Sequence, residues 1–160
     1  MVASMVFVSL LAKSNIRASD GYRNGSECQP ASAADAADLV YNQYGVQNMS
    51  TATHRNVICP IPSVYGGDTT VGIRAYDRNN VAVGSTNNVN CNAVSMTIDG
   101  DINYSINLST SSSGPAAQVA ELTLFDLPAQ HMWQFQCSIP RIVTPGQISH
   151  FLSYWLFSYY

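Results

Sequence analysis

Charge is what this chain has least of. Only 11% of its 160 residues are charged, where roughly a quarter is usual, and Lys13 is the single lysine. Beyond Arg17, the arginines Arg23, Arg55, Arg74, Arg78 and Arg141 are scattered along the sequence, and the formal net charge is −3. Clustered cations that neutralise phosphates are therefore missing, which excludes nucleic acid as a partner. Glutamate is almost absent too, with Glu27 and Glu121 alone, so an acid–base carboxylate pair would have to draw on aspartates. Asp77, Asp99, Asp101 and Asp126 all read as turn residues. No two cysteines have zinc-ligand spacing, His54, His131 and His150 form no H-x-x-x-H pair, and no G-x-S-x-G elbow occurs. No cofactor, metal or catalytic residue is assigned. No apolar run is long enough to cross a bilayer as a helix.

The longest apolar run is Met1–Ala12, of about the length of a signal peptide's apolar region, with small residues at Ala12 and Ser14 or at Ala18 and Ser19 that suit a cleavage site. Residues 1–19 are expected to be a signal peptide and residues 20–160 one domain. Lys13 and Arg17 follow the apolar run instead of preceding it, which departs from the leader pattern and leaves a buried N-terminal strand as the competing expectation. Four cysteines in an exported chain favour two disulfides. Three pairings exist. The near-copies Val57-Ile-Cys59-Pro-Ile-Pro62 and Phe135-Gln-Cys137-Ser-Ile-Pro140 suggest one structural position visited twice, each preceded by its own partner, which favours Cys28 with Cys59 and Cys91 with Cys137. Proline after each motif places the cysteines near strand ends.

Turn signals recur every 8 to 12 residues or so, at Gly66-Gly67-Asp68, Arg78-Asn79-Asn80, Thr86-Asn87-Asn88, Asp99-Gly100-Asp101, Ser111–Pro115 and Pro145-Gly146. Between them polarity alternates with period two. Val71, Ile73 and Ala75 alternate with Gly72, Arg74 and Tyr76. Ile102, Tyr104, Ile106 and Leu108 alternate with Asn103, Ser105, Asn107 and Ser109, and residues 119–125 behave likewise. Ser32 suits a helix N-cap with Asp35 at the capping-box position, so a short turn or helix leading into a strand is expected there. Asp99-Gly100-Asp101-Ile102-Asn103 begins like a calcium loop, but Tyr104 stands where glycine is required and Thr110 where glutamate is, so a hairpin turn is the better reading. Asn24, Asn48, Asn103 and Asn107 head N-x-Ser glycosylation patterns. The aromatic end, Phe151 to Tyr160, suggests either a core strand with an apolar overhang or the closing strand of an outer-membrane barrel. Short strands with polar faces and proline ends argue against the barrel. The fold class expected is all-β, an antiparallel β-sandwich, jelly-roll or Ig-like, of about eight strands with two disulfides.

The landmarks Gly25–Pro30, Tyr41–Asn48, Val57–Pro62, Tyr76-Asp77-Arg78, Cys91 and Phe135–Arg141 resemble a group of small uncharacterised secreted bacterial proteins, over roughly residues 21 to 154. The resemblance implies a leader peptide and one disulfide-containing β-domain, and brings no activity with it. The leader and the aromatic tail from Trp155 onward depart from the group's pattern.

An uncharged, amide-rich surface carrying aromatics suits amphipathic ligands such as sugars, whose rings offer an apolar face edged by hydroxyls. The expected function is a secreted, extracellular or periplasmic binding module, non-enzymatic, with glycans or a cell-surface protein as partner. Its candidate ligand-binding residues are Tyr65, Asp68, Tyr76, Asp77, Arg78 and Trp133, with Trp155 as a further candidate. Two alternatives remain: a hydrolase with a loop-assembled site, and a self-assembling surface protein associating through its C-terminal aromatic strand.

Overall fold

The computed structural model describes residues 17–61, 67–79, 86–97, 99–111, 117–127 and 132–159. The short N-terminal elements are β1 (Arg17–Asp20), β2 (Arg23–Asn24), a 3-10 turn (Gly25–Glu27), β3 (Gln29–Pro30) and α1 (Ala33–Ala36). Then come β4 (Leu39–Asn42), β5 (Gly45–Asn48), β6 (Arg55–Ile61), β7 (Gly67–Tyr76), β8 (Asn90–Met96), β9 (Ile102–Ser109), β10 (Gln118–Leu127), β11 (Met132–Ile139) and β12 (His150–Tyr159). Two wholly antiparallel sheets result. The first runs β10-β7-β12-β5-β4, with β1 and β2 also paired to β12; the second runs β3-β6-β11-β8-β9. From β5 onward the chain passes from sheet to sheet, only the β8–β9 hairpin staying in one, which is the strand order of a jelly roll. The expected fold class holds, and the jelly-roll form is the one adopted.

Alternation explains the layers. Val71, Ile73 and Ala75 of β7 point inward with Trp133, Phe135, Cys137 and Ile139 of β11, and all are buried. Gly72, Arg74 and Tyr76 therefore share the opposite, outward face. On β9 the pattern holds only at one end: Ile106 and Leu108 are core, while Ile102 and Tyr104 are exposed. Phe135 and Tyr154 meet at 5.5 Å between the sheets, and Tyr154 Oη donates to the Pro60 carbonyl at 3.1 Å, tying β12 to β6 across the core.

The disulfides are Cys28–Cys59 and Cys91–Cys137, as the repeated motif suggested. The two motifs lie side by side on β6 and β11, with Phe135 opposite Cys59 and Cys137 opposite Val57. Cys91 stands directly opposite Cys137, so that bridge joins neighbouring strands. Pro60 lies inside β6, beyond the end of short β3, where a missing N–H interrupts no pairing on that side.

The helix is the single turn expected. The Ser32 hydroxyl caps it by accepting from Asp35 N–H at 3.2 Å, and the Asp35 carboxylate accepts from the Asn56 backbone, pinning α1 to β6. Asp99-Gly100 forms the β8–β9 turn, with Gly100 at φ +92. As far as Tyr159 the aromatic tail is a central strand: β12 is paired to β7 along its length, with Phe151, Tyr154, Trp155 and Leu156 buried, and Tyr160 lies outside the described residues. Gly67 and Asp68, read as a turn, open β7 instead, because their backbone pairs with β10 and β12.

Candidate functional site

The outward face of the first sheet carries a groove of about 560 Å³. Its floor is β12, through His150, Leu152 and Ser153; β7 supplies Arg74 and Tyr76, with Arg78 just beyond. Tyr22 and Asn24 come from the N-terminal segment, and Gln43 and Tyr44 from the turn between β4 and β5. Two smaller hollows continue it. One, about 260 Å³, shares Tyr22 and Arg74 and reaches Val119, Glu121, Trp155 and Phe157; the other, about 240 Å³, shares Arg78 and His150 and reaches Gly146 and Gln147. The three form one trough across the sheet.

The rings in this trough are held. Tyr22 stacks on Trp155 with centroids 5.9 Å apart, and its hydroxyl lies 2.8 Å from Ser153 Oγ. Tyr76 meets His150 edge-on at 6.3 Å, and the Arg78 guanidinium lies 5.4 Å over the Tyr76 ring. Asn24 Nδ2 donates to the Gln43 carbonyl at 3.0 Å, fastening the hairpin that presents Tyr44. Tyr44 and Tyr22 are 67% and 55% exposed, and so offer open ring faces. Burial, and then the nearby Arg78 charge, push the His150 imidazole below its ordinary value. Among the described residues, the groove's lining includes no aspartate or glutamate. Among the described residues no three His, Cys, Asp or Glu side chains gather as metal ligands would.

A second hollow, about 450 Å³, lies on the outward face of the other sheet, lined by Asn56, Asn90, Asn92, Asn107, Gln136 and Ser138. It is uncharged and contains no aromatic ring.

No family model matches the chain, and no curated protein matches it. Solved structures similar to it include the enzymatically active domain of tailspike protein 4 of bacteriophage CBA120, at 10% identity and TM-score 0.49, covering 89% of this chain. This chain spans 19% of that one. The CBM36-1 domain of a multidomain xylanase from the hindgut metagenome of Trinervitermes trinervoides is similar at 10% identity and TM-score 0.45, over 88% of this chain and 97% of that one. The carbohydrate-binding module CBM36 in complex with calcium and xylotriose is similar at 11% identity and TM-score 0.44, over 86% and 98%. Likeness at this distance leaves the groove to be read from its own residues.

Of the residues singled out in the sequence, Tyr76 and Arg78 line the groove. Two others are turned away from any ligand. Trp133 is 2% exposed, because its place in the β11 alternation faces the core. Asp77 is fully buried: its carboxylate accepts from the backbone of Asn79 at 2.9 Å and of Val89 at 3.3 Å, and from the Thr110 hydroxyl. It fastens the end of β7 to the segments flanking β8 and β9. Asp68 lies in β7 outside the groove, and Tyr65 falls outside the described residues. Trp155 supports the trough from beneath as the partner of Tyr22. Sequence reasoning missed Arg74, although its alternation with Val71, Ile73 and Ala75 put it on the face of Tyr76. Tyr22, Tyr44 and His150 gave no local signal, since only strand pairing brings them to β7.

Proposed function

We propose that the protein is a secreted, non-catalytic carbohydrate-binding module that holds a glycan chain in the trough across its first sheet. The observation that carries this reading is the groove itself: open tyrosine faces beside amide, hydroxyl and guanidinium donors, with Tyr22 stacked on Trp155 and Tyr44 presented by a fastened hairpin. Sugars need this combination, because apolar ring faces stack on aromatics while the hydroxyls at their rims take hydrogen bonds. Fixed rings lower the ordering cost of binding. The two disulfides fit an extracellular or periplasmic setting.

The test is retention of the oxidised protein on a panel of soluble and insoluble glycans, alongside Tyr44→Ala. Tyr44 is exposed in a turn, so truncation leaves the fold intact. Retention by one glycan class is expected, weakened roughly tenfold, or about 1.4 kcal/mol, by the substitution. No retention by protein with native circular dichroism would overturn the reading.

A further inference from the structure

The charge of the trough narrows the ligand, and this inference rests on reading the trough as a glycan site. Among the described residues, the central groove is lined by two arginines and a histidine and by no carboxylate. In a chain with ten Asp and Glu against seven Lys and Arg, that reverses the sign of the molecule locally. The nearby carboxylates are engaged or set apart. Asp77 is buried beneath the sheet end, Glu27 pairs with Arg23, and Asp38 pairs with Arg55. Glu121 is the one carboxylate of the trough among the described residues; it lines the adjoining hollow, which Arg74 also lines, and not the central groove. Arg74 is exposed and makes no hydrogen bond or ion pair among the described residues.

Spacing adds a second constraint. Arg74 lies in β7 and Arg78 two residues past its end, so their backbones are at most roughly 13 Å apart and the two side chains line the groove from separate positions. Tyr22 and Tyr44 hold the open ring faces of the same groove. We propose that the trough selects a linear acidic polysaccharide bearing carboxylates on its sugar rings, with Arg74 and Arg78 receiving carboxylates and the two tyrosines the ring faces. The planar guanidinium fork matches a carboxylate with two parallel hydrogen bonds. A densely sulfated chain would meet only these two arginines, and elsewhere a surface of net negative charge.

The matched ligands are polygalacturonate and its fully methyl-esterified form, which share a backbone and differ in charge. Affinity electrophoresis and calorimetry of the full oxidised protein are expected to give binding to the acid form, lost on esterification and weakened by 0.5 M salt as screening predicts (about 4 Å Debye length). Arg74→Gln is expected to lower affinity for the acid form roughly tenfold with the unfolding midpoint unchanged. Arg74→Lys falls between, since an ammonium keeps the charge without the fork. Equal binding of both forms, or binding of the acid form untouched by Arg74→Gln, overturns the acidic assignment and leaves the glycan site standing. Preference for a sulfated chain overturns the carboxylate assignment. Failure to bind any glycan in the panel overturns the site itself.

Discussion

At Gly72 a methyl group has no room. A Cβ there would lie 2.3 Å from Cε2 and Cζ2 of Trp155, whose indole lies flat across the β7 backbone and carries the Tyr22 ring on its other side. The glycine is thus what allows a large aromatic to be buried on the outward face of a sheet. Gly72→Ala is expected to displace the indole and to cost about 1–3 kcal/mol, the usual range for an overpacked contact. Urea unfolding measures this, and an unchanged midpoint would show that Trp155 swings aside freely. Gly45 answers to the same geometry and to conformation as well, with φ +135 and room for a Cβ only 2.1 Å from the Phe151 carbonyl oxygen.

Among elements, β8 and β11 are joined twice, by a backbone ladder and by the bridge between directly opposed Cys91 and Cys137. The cysteines are 46 residues apart in sequence, so the bridge removes much of the unfolded chain's freedom, worth about 4 kcal/mol by loop-closure entropy. The Cys91→Ala/Cys137→Ala variant is expected to fold, since the ladder and the core remain, and to lose stability of that order in guanidinium titrations. A loss below about 1 kcal/mol would mean that contacts between β8 and β11 persist in the unfolded chain. Much of this layer could be read from sequence. Inward Val71, Ile73 and Ala75, the single-turn helix after Ser32 and the repeated cysteine motifs each depend on neighbours in sequence or on one strand's alternation. Ile102 and Tyr104 mislead for the same reason: the alternation on β9 continues into a stretch whose apolar side chains are exposed.

For the whole molecule, acid is the informative perturbation. Burial, and then Arg141 or Arg78 respectively, lower the values of His54 and His150. His54 Nδ1 also accepts from the Arg141 backbone N–H at 3.3 Å, a bond that protonation of that nitrogen removes. The unfolded imidazoles bind a proton near their ordinary 6.5 while the folded ones resist it, so below about that pH the unfolded state holds more protons and stability falls. Urea midpoints are expected to drop between pH 7.5 and pH 5, and to drop less in a His54→Gln/His150→Gln variant. Equal drops in both proteins would assign the acid sensitivity to carboxylates. At the alkaline end Tyr154, pushed up to about 12 chiefly by burial, keeps its proton after the unfolded tyrosine has lost it, so its contribution to stability fades above pH 10.

The class of fold and the cysteine pairs were readable from the chain alone, because alternation, turn chemistry and a repeated motif are local records of which face meets the core. Which aromatics are available to a ligand was settled by tertiary packing. Trp133 and Tyr76 both sit on strands, yet one faces the core and the other the groove, and period two cannot name the buried face where both faces carry apolar residues. Likewise Tyr22, Tyr44, Arg74 and His150 come from four separate segments, and their meeting on one side of β12 follows from the order in which the strands pair.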